Sequence, residues 1–95
     1  MLTRIVKMTF KEENVPDFLK VFKEVNQKIT HFEGCQHLNL YQDKKDKRIF
    51  FTYSIWDNEE ALNNYRHSNF FQHTWARTKI LFDDKPEAWS LDLKH

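Results

Sequence analysis

Lys47 to Ser68, KRIFFTYSIWDNEEALNNYRHS, is the stretch whose reading decides the fold. Phe50, Phe51, Tyr53 and Ile55 crowd aromatic and β-branched side chains into a short run, which predicts a strand. Asp57 then offers an N-cap, and Glu60, three residues on, completes a capping-box spacing. Ala61, Leu62 and Tyr65 follow on one face of the helix that starts there. Trp56 stands at the junction. A large aromatic where a strand runs into a helix lines the crevice between sheet and helices, as a ligand wall or as core packing.

Upstream, Leu2 to Phe10 alternates as a strand, with Arg4, Val6, Met8 and Phe10 on one face and Thr3, Ile5, Lys7 and Thr9 on the other. Asn14 to His31 reads as a helix capped by Asn14, with Pro16 tolerated in its first turn. Its apolar stripe is Val15, Phe18, Leu19, Phe22, Val25 and Ile29. Gly34, the only glycine, is placed just past the helix end, where a positive φ is needed.

Cys35–Gln42 and Lys47–Trp56 then form a hairpin around the turn Asp43-Lys44-Lys45-Asp46. Pairing Gln42 with Lys47 sets Leu40 against Ile49, Leu38 against Phe51 and Gln36 against Tyr53, a uniformly apolar face. The same register puts His37, Asn39, Thr52 and Ser54 on the other face, among Phe50 and Trp56. Downstream, Ser68 caps a further helix in which Phe71, Thr74, Trp75, Thr78 and Phe82 recur at helical spacing. Pro86 opens a last strand suited to a sheet edge, with Trp89, Leu91 and Leu93 alternating.

This order of strand, helix, two hairpin strands, helices and strand is an α+β, ferredoxin-like sandwich: a four-stranded antiparallel sheet with helices on one face. The uncovered face carries Leu38, Leu40, Ile49, Phe51 and Ile55, and an apolar surface of that kind calls for a partner. A second copy, sheet on sheet, supplies it, so a homodimer is expected. The 95 residues make a single domain, 1–95, small enough to gain from such pairing.

A chain that is 40% apolar, 31% charged and 16% aromatic folds around large side chains. Fifteen basic and fourteen acidic residues leave a net charge of +1, too little field to recruit nucleic acid or an anionic membrane. A lone cysteine, Cys35, makes no intrachain disulfide. The first residues lack a continuous apolar core, and no run reaches membrane-spanning length; a cytoplasmic protein is expected.

The candidate chemistry lies along the polar-aromatic sheet face. Tyr65 and Tyr41 can donate to a ligand oxygen, or simply hold a hydroxyl at the surface. Arg4 can hold an anionic oxygen, or serve as an ordinary strand cation. His67 and His73, six residues apart, fall on different helix sides and make no shared metal site. The Lys44-Lys45-Lys47-Arg48 run is a solvated hairpin tip.

Glu33-Gly34-Cys35, Trp56-Asp57-Asn58-Glu59-Glu60-Ala61-Leu62 and Ser68-Asn69-Phe70-Phe71, in this order along the chain, resemble the antibiotic biosynthesis monooxygenase family of dimeric α+β barrels. The resemblance implies two sheets packed as a dimeric α/β barrel, with a pocket between sheet and helices in each protomer. It implies oxidation of a small aromatic, phenolic or quinol compound by O₂ with no cofactor; the alternative is a non-catalytic dimer that binds a small molecule or haem. Carried onto this chain, Trp56 and Phe50 hold the ring, Arg4 and Asn39 are polar contacts, and Tyr65 and His37 are the catalytic pair, His37 as base. The chain departs from common family positions at Ser54, where many members have Glu, and at Tyr65, where many have His. Val6, Tyr65 and Trp75 occupy the positions of the Asn, Trp and His used by haem-degrading members, which argues against that chemistry.

Overall fold

Trp56 ends a strand that is one of the two inner strands of the sheet. The computed structural model describes residues 1–95. Its elements are β1 (Leu2–Thr9), a 3₁₀ turn (Glu12–Asn14), α1 (Val15–Thr30), β2 (Cys35–Gln42), β3 (Ile49–Trp56), α2 (Glu59–Arg66), α3 (Asn69–Lys79) and β4 (Glu87–Asp92). The strand order is β2-β3-β1-β4 with every pair antiparallel, the ferredoxin-like arrangement expected from the element order. β4 takes an edge, where the Pro86 before it costs no ladder bond.

The β2–β3 register differs from the one the turn composition suggests. Gln42 faces Phe50, Leu40 faces Thr52 and Leu38 faces Ser54, a slip of three residues. The cause is a longer turn. The Asp43 carboxylate accepts from the backbone of Lys45 and Asp46 at 3.1 and 2.8 Å, and Asp46 accepts from Arg48 N at 3.0 Å. These Asx turns draw Lys47 and Arg48 out of the strand, so pairing starts at Ile49. An odd slip exchanges the faces of β2. Leu38 and Leu40 therefore turn toward the helices, and His37, Asn39 and Tyr41 join the outer face opposite Ile55, Tyr53 and Phe51. A bulge between Cys35 and His37 returns Cys35 to the helix side, opposite Trp56.

Helix boundaries shift by local chemistry. Asn58, not Asp57, caps α2, its side chain accepting from Ala61 N at 2.8 Å; Asp57 instead accepts from Gln36 Nε2 at 2.7 Å. Asn14 gives α1 no side-chain cap and donates to the Leu81 carbonyl. Within α1, Val21 is buried while Leu19 is 44% exposed, because Leu19 lies about 100° round the helix from Phe18. α3 stops at Lys79, short of Phe82. Phe82 still reaches the core, bridging to Phe10 with ring centroids 5.2 Å apart. Ser68 caps α3 as expected, accepting from Phe71 N at 3.1 Å.

The core has two lobes between sheet and helices. One gathers Leu2, Val21, Val25, Ile29, Leu62 and Tyr65 around Trp56. The other joins Met8, Phe10, Phe18 and Phe50. No helix covers the opposite sheet face, where Ile5, Tyr53 and Trp89 stand side by side and so do Thr3, Ile55 and Leu91. Trp89 and Leu91 remain 43% and 44% exposed.

Gly34 joins the α1–β2 connection to the β3–α2 junction. Its φ is +87°, and its carbonyl accepts from Asp57 N at 2.8 Å. A Cβ here would lie 2.4 Å from Ala61 Cβ. Gly34→Ala is expected to cost about 2–4 kcal/mol in urea unfolding at fixed protein concentration, the sum of left-handed strain and overpacking. Adding Ala61→Gly recovers the steric part of that loss.

Candidate functional site

Between the helix-facing side of the sheet and the three helices lies a cavity of about 260 Å³. Its floor is laid by alternate residues of the inner strands: Arg4, Val6 and Met8 from β1, Thr52 and Ser54 from β3. The period of two along these strands is what turns all five to one side. Phe22 and Val25 of α1 and Phe71 and Trp75 of α3 form the walls.

Trp56 is only 1% exposed, and three contacts fix it. Its Nε1 donates to Ser54 Oγ at 3.0 Å, and that hydroxyl donates to the Arg4 carbonyl at 3.5 Å. Tyr65 stacks on the indole at 4.9 Å with 24° between planes. Phe71 meets Tyr65 edge-on at 5.0 Å and lies parallel to Trp75 at 5.9 Å. The four rings make a continuous aromatic wall. Phe71 and Trp75 line the space without closing it, and Trp89 is on the other face of the sheet.

Polar groups on the lining are few. Burial, and secondarily the Cys35 thiol, push the Tyr65 phenol far above its ordinary range. It stays protonated at neutral pH, so it can donate a hydrogen bond there but cannot act as a phenolate base. Arg4 donates from Nη1 to Ser90 Oγ at 2.9 Å. Burial first, and then the charge of Arg66, lower its guanidinium pKa. Arg66 itself lines the cavity from the last turn of α2. The lining holds no carboxylate and no histidine.

The structure thus brings together Arg4, Trp56 and Tyr65 of the residues expected at the site. Phe50 is on the helix side but buried in the other core lobe, against Phe10 and Phe18 at 5.9 and 5.2 Å, and does not line the cavity. His37 and Asn39 are on the outer sheet face, hydrogen-bonded to each other, with His37 edge-on to Tyr53. The register slip is the reason. Cys35 packs against the Trp56 lobe, where burial raises its thiol pKa. His67 and His73 are exposed and outside the lining, and no three His, Cys, Asp or Glu side chains converge as a metal site. Arg66 was not singled out from the sequence; its neighbour Tyr65 on the apolar stripe was the only hint.

A family model described as antibiotic biosynthesis monooxygenase matches residues 1–77. Among solved structures, the chain is similar to a crystal structure of an antibiotic biosynthesis monooxygenase, with TM-score 0.94 and 20% identity over 100% of both chains. A conserved protein from Methanosarcina mazei Go1 aligns at TM-score 0.92 and 23% identity, over 99% of this chain and 94% of that one. Rv0793 from Mycobacterium tuberculosis aligns at TM-score 0.90 and 14% identity, over 99% and 95%. No functionally curated protein matches the chain.

Two stability measurements check the geometry. Ser54→Ala strands the buried indole N–H of Trp56 and is expected to cost about 1–3 kcal/mol in denaturant unfolding. Tyr65 holds its proton more tightly folded than unfolded, so its contribution is complete below the unfolded tyrosine value, about 10, and is lost as pH rises above it. Tyr65→Phe is therefore expected to flatten the fall in melting temperature measured between pH 9 and 11.

Proposed function

The chain belongs to the antibiotic biosynthesis monooxygenase family, and from that premise we propose that its cavity takes a small aromatic, phenolic or quinol compound and oxidises it with O₂, using neither metal nor flavin. The observation that carries this reading is an apolar, aromatic-walled space with only a few polar groups facing it. Phe71 and Trp75 flank the substrate ring, backed by Tyr65 and Trp56. The 260 Å³ volume suits a molecule of two or three fused rings with little water beside it.

The chemistry follows from the lining. Substrate ionisation comes first, and no carboxylate or imidazole faces the cavity to take the proton. The substrate therefore loses it to bulk water at the cavity mouth as it enters, and the cationic guanidinium of Arg4 stabilises the resulting phenolate or carbanion. The protonated Tyr65 donates a hydrogen bond to the anionic oxygen. The anion passes one electron to O₂, and the radical pair recombines to a hydroperoxide. Loss of water converts the original CH₂ or CH to a carbonyl, with one oxygen atom retained and the other leaving as water. The protein's part is to hold the ring, favour the anion and exclude solvent. His37 and Asn39, on the outer face, and Phe50, in the second lobe, take no direct part in this scheme.

We also propose that a second copy covers the outer sheet face. Ile5, Phe51, Tyr53, Ile55, Trp89 and Leu91 form an apolar surface there that no element of the protomer covers. Light scattering after size-exclusion chromatography is expected to give twice the chain mass. The double variant Trp89→Lys, Leu91→Lys is expected to give a folded monomer, since both residues are already exposed in the protomer.

Oxygen uptake tests the activity. Metal-stripped protein is offered hydroquinones, naphthols and anthrones. Uptake above the uncatalysed rate is expected with at least one of them, falling roughly a hundredfold in Tyr65→Phe, the scale of losing one donor to a developing oxyanion. The rate is expected to rise with pH along the substrate's own ionisation rather than that of an imidazole. No uptake with any compound overturns the oxygenase reading in favour of a non-catalytic binding dimer.

A further inference from the structure

The chain has four arginines, and the fold divides them into two kinds. Arg48 pairs with Asp46 and Asp83 at 2.9 and 3.0 Å, and Arg77 with Glu24 at 2.9 Å; all of these lie at the surface. Arg4 and Arg66 both line the cavity, and neither forms an ion pair. On the helix-facing side of β4, Arg4 donates to its direct cross-strand partner, the neutral Ser90 hydroxyl, while Asp92 lies one pair further along, opposite Leu2. The cavity thus holds two cations near each other and no acid.

We propose that Arg4 and Arg66 form the anion-binding end of the cavity, and that its natural ligand is an aromatic compound carrying a carboxylate. This rests on reading the cavity as a ligand site, and it names the class of ligand.

Three observations support it. Arg4 and Arg66 are like charges on one lining that offers them no acid, and a bound anion relieves their repulsion; burial first, and then the charge of Arg66, lower the Arg4 pKa, while Arg66 itself reaches solvent. A guanidinium presents a planar fork of donors that matches a carboxylate, and Arg4 spends only Nη1 on Ser90. Much of the remaining lining is aromatic: Phe71, Trp75 and Tyr65 supply ring contacts. A molecule with one charged end and one ring system is complementary to both. A phosphate is a poorer match, because the only glycine, Gly34, is outside the lining and no glycine-rich loop offers backbone N–H groups there. Arg66 is also the basic residue in the last turn of α2, where it suits the negative C-terminal end of the helix.

The test is calorimetric titration with 2-naphthoate and with its neutral counterpart 2-naphthylmethanol, at low and high salt. Wild type is expected to bind 2-naphthoate at least tenfold more tightly than the alcohol, with the margin shrinking in high salt. Arg4→Gln and Arg66→Gln are each expected to bring the two ligands within about twofold, chiefly by weakening 2-naphthoate. Arg66→Lys is expected to keep most of the preference, and circular dichroism verifies that each variant is folded. Equal binding of the two ligands by wild type, a preference that survives both glutamine variants, or no binding of 2-naphthoate at millimolar concentration would each overturn the proposal. The readout is independent of oxygen uptake. Charge-dependent binding without turnover leaves this inference standing and removes the oxygenase reading; turnover of neutral phenols without a carboxylate preference does the reverse.

Discussion

The fixed position of Trp56 is the constraint on which the rest depends. Its indole ends an inner strand, donates to Ser54 on the same strand face, and carries Tyr65 of α2 as a stacked cover. Val21, Val25 and Ile29 of α1 and Leu62 of α2 belong to the same lobe. One side chain thus sets the spacing of two helices over the sheet. Gly34 closes the arrangement from the other side, letting the end of α1 approach the start of α2 to within the space of a missing Cβ. The cavity exists because the second lobe, centred on Phe10 and Phe50, is packed separately, leaving a gap between the lobes that α3 walls off.

That gap has an unusual electrical character for its size. The lining is mostly apolar, yet the part-buried Arg4 and the exposed Arg66 border it and no carboxylate does. Tyr65 is held neutral by the same burial that stacks it on Trp56. The arrangement is suited to stabilising negative charge on a bound ring and to donating to it. It is poorly suited to abstracting a proton, and any chemistry built on it depends on the acidity of what is bound.

Much of this was readable from residue order. Each strand and helix was placed to within a few residues, Gly34 was assigned its positive φ, and the alternation of β1 put Arg4 on the correct face. Tyr65 and Trp56 were on the expected helix stripe and strand end. The errors came from side chains competing for backbone groups. Asp43 and Asp46 both bind backbone N–H groups in the turn, and nothing in their spacing says how many following residues they withdraw from pairing. Asn58 and Asp57 are equally good caps by type, and Gln36, far away in sequence, claims Asp57.

Composition and periodicity settled the fold class, the layer of helices on one sheet face and the identity of the aromatic residues at its centre, because those follow from local spacing of apolar groups and need no knowledge of distant partners. Tertiary structure alone decided which polar residues meet. A slip of three residues in one hairpin moved His37 and Asn39 away from the cavity and brought Leu38 into its lining. The approach of α2 to the sheet set Arg66 beside Arg4, across 62 residues of chain with no pattern linking them. Strand register and helix docking are long-range quantities, and the chemistry of this cavity is decided by those two rather than by any motif.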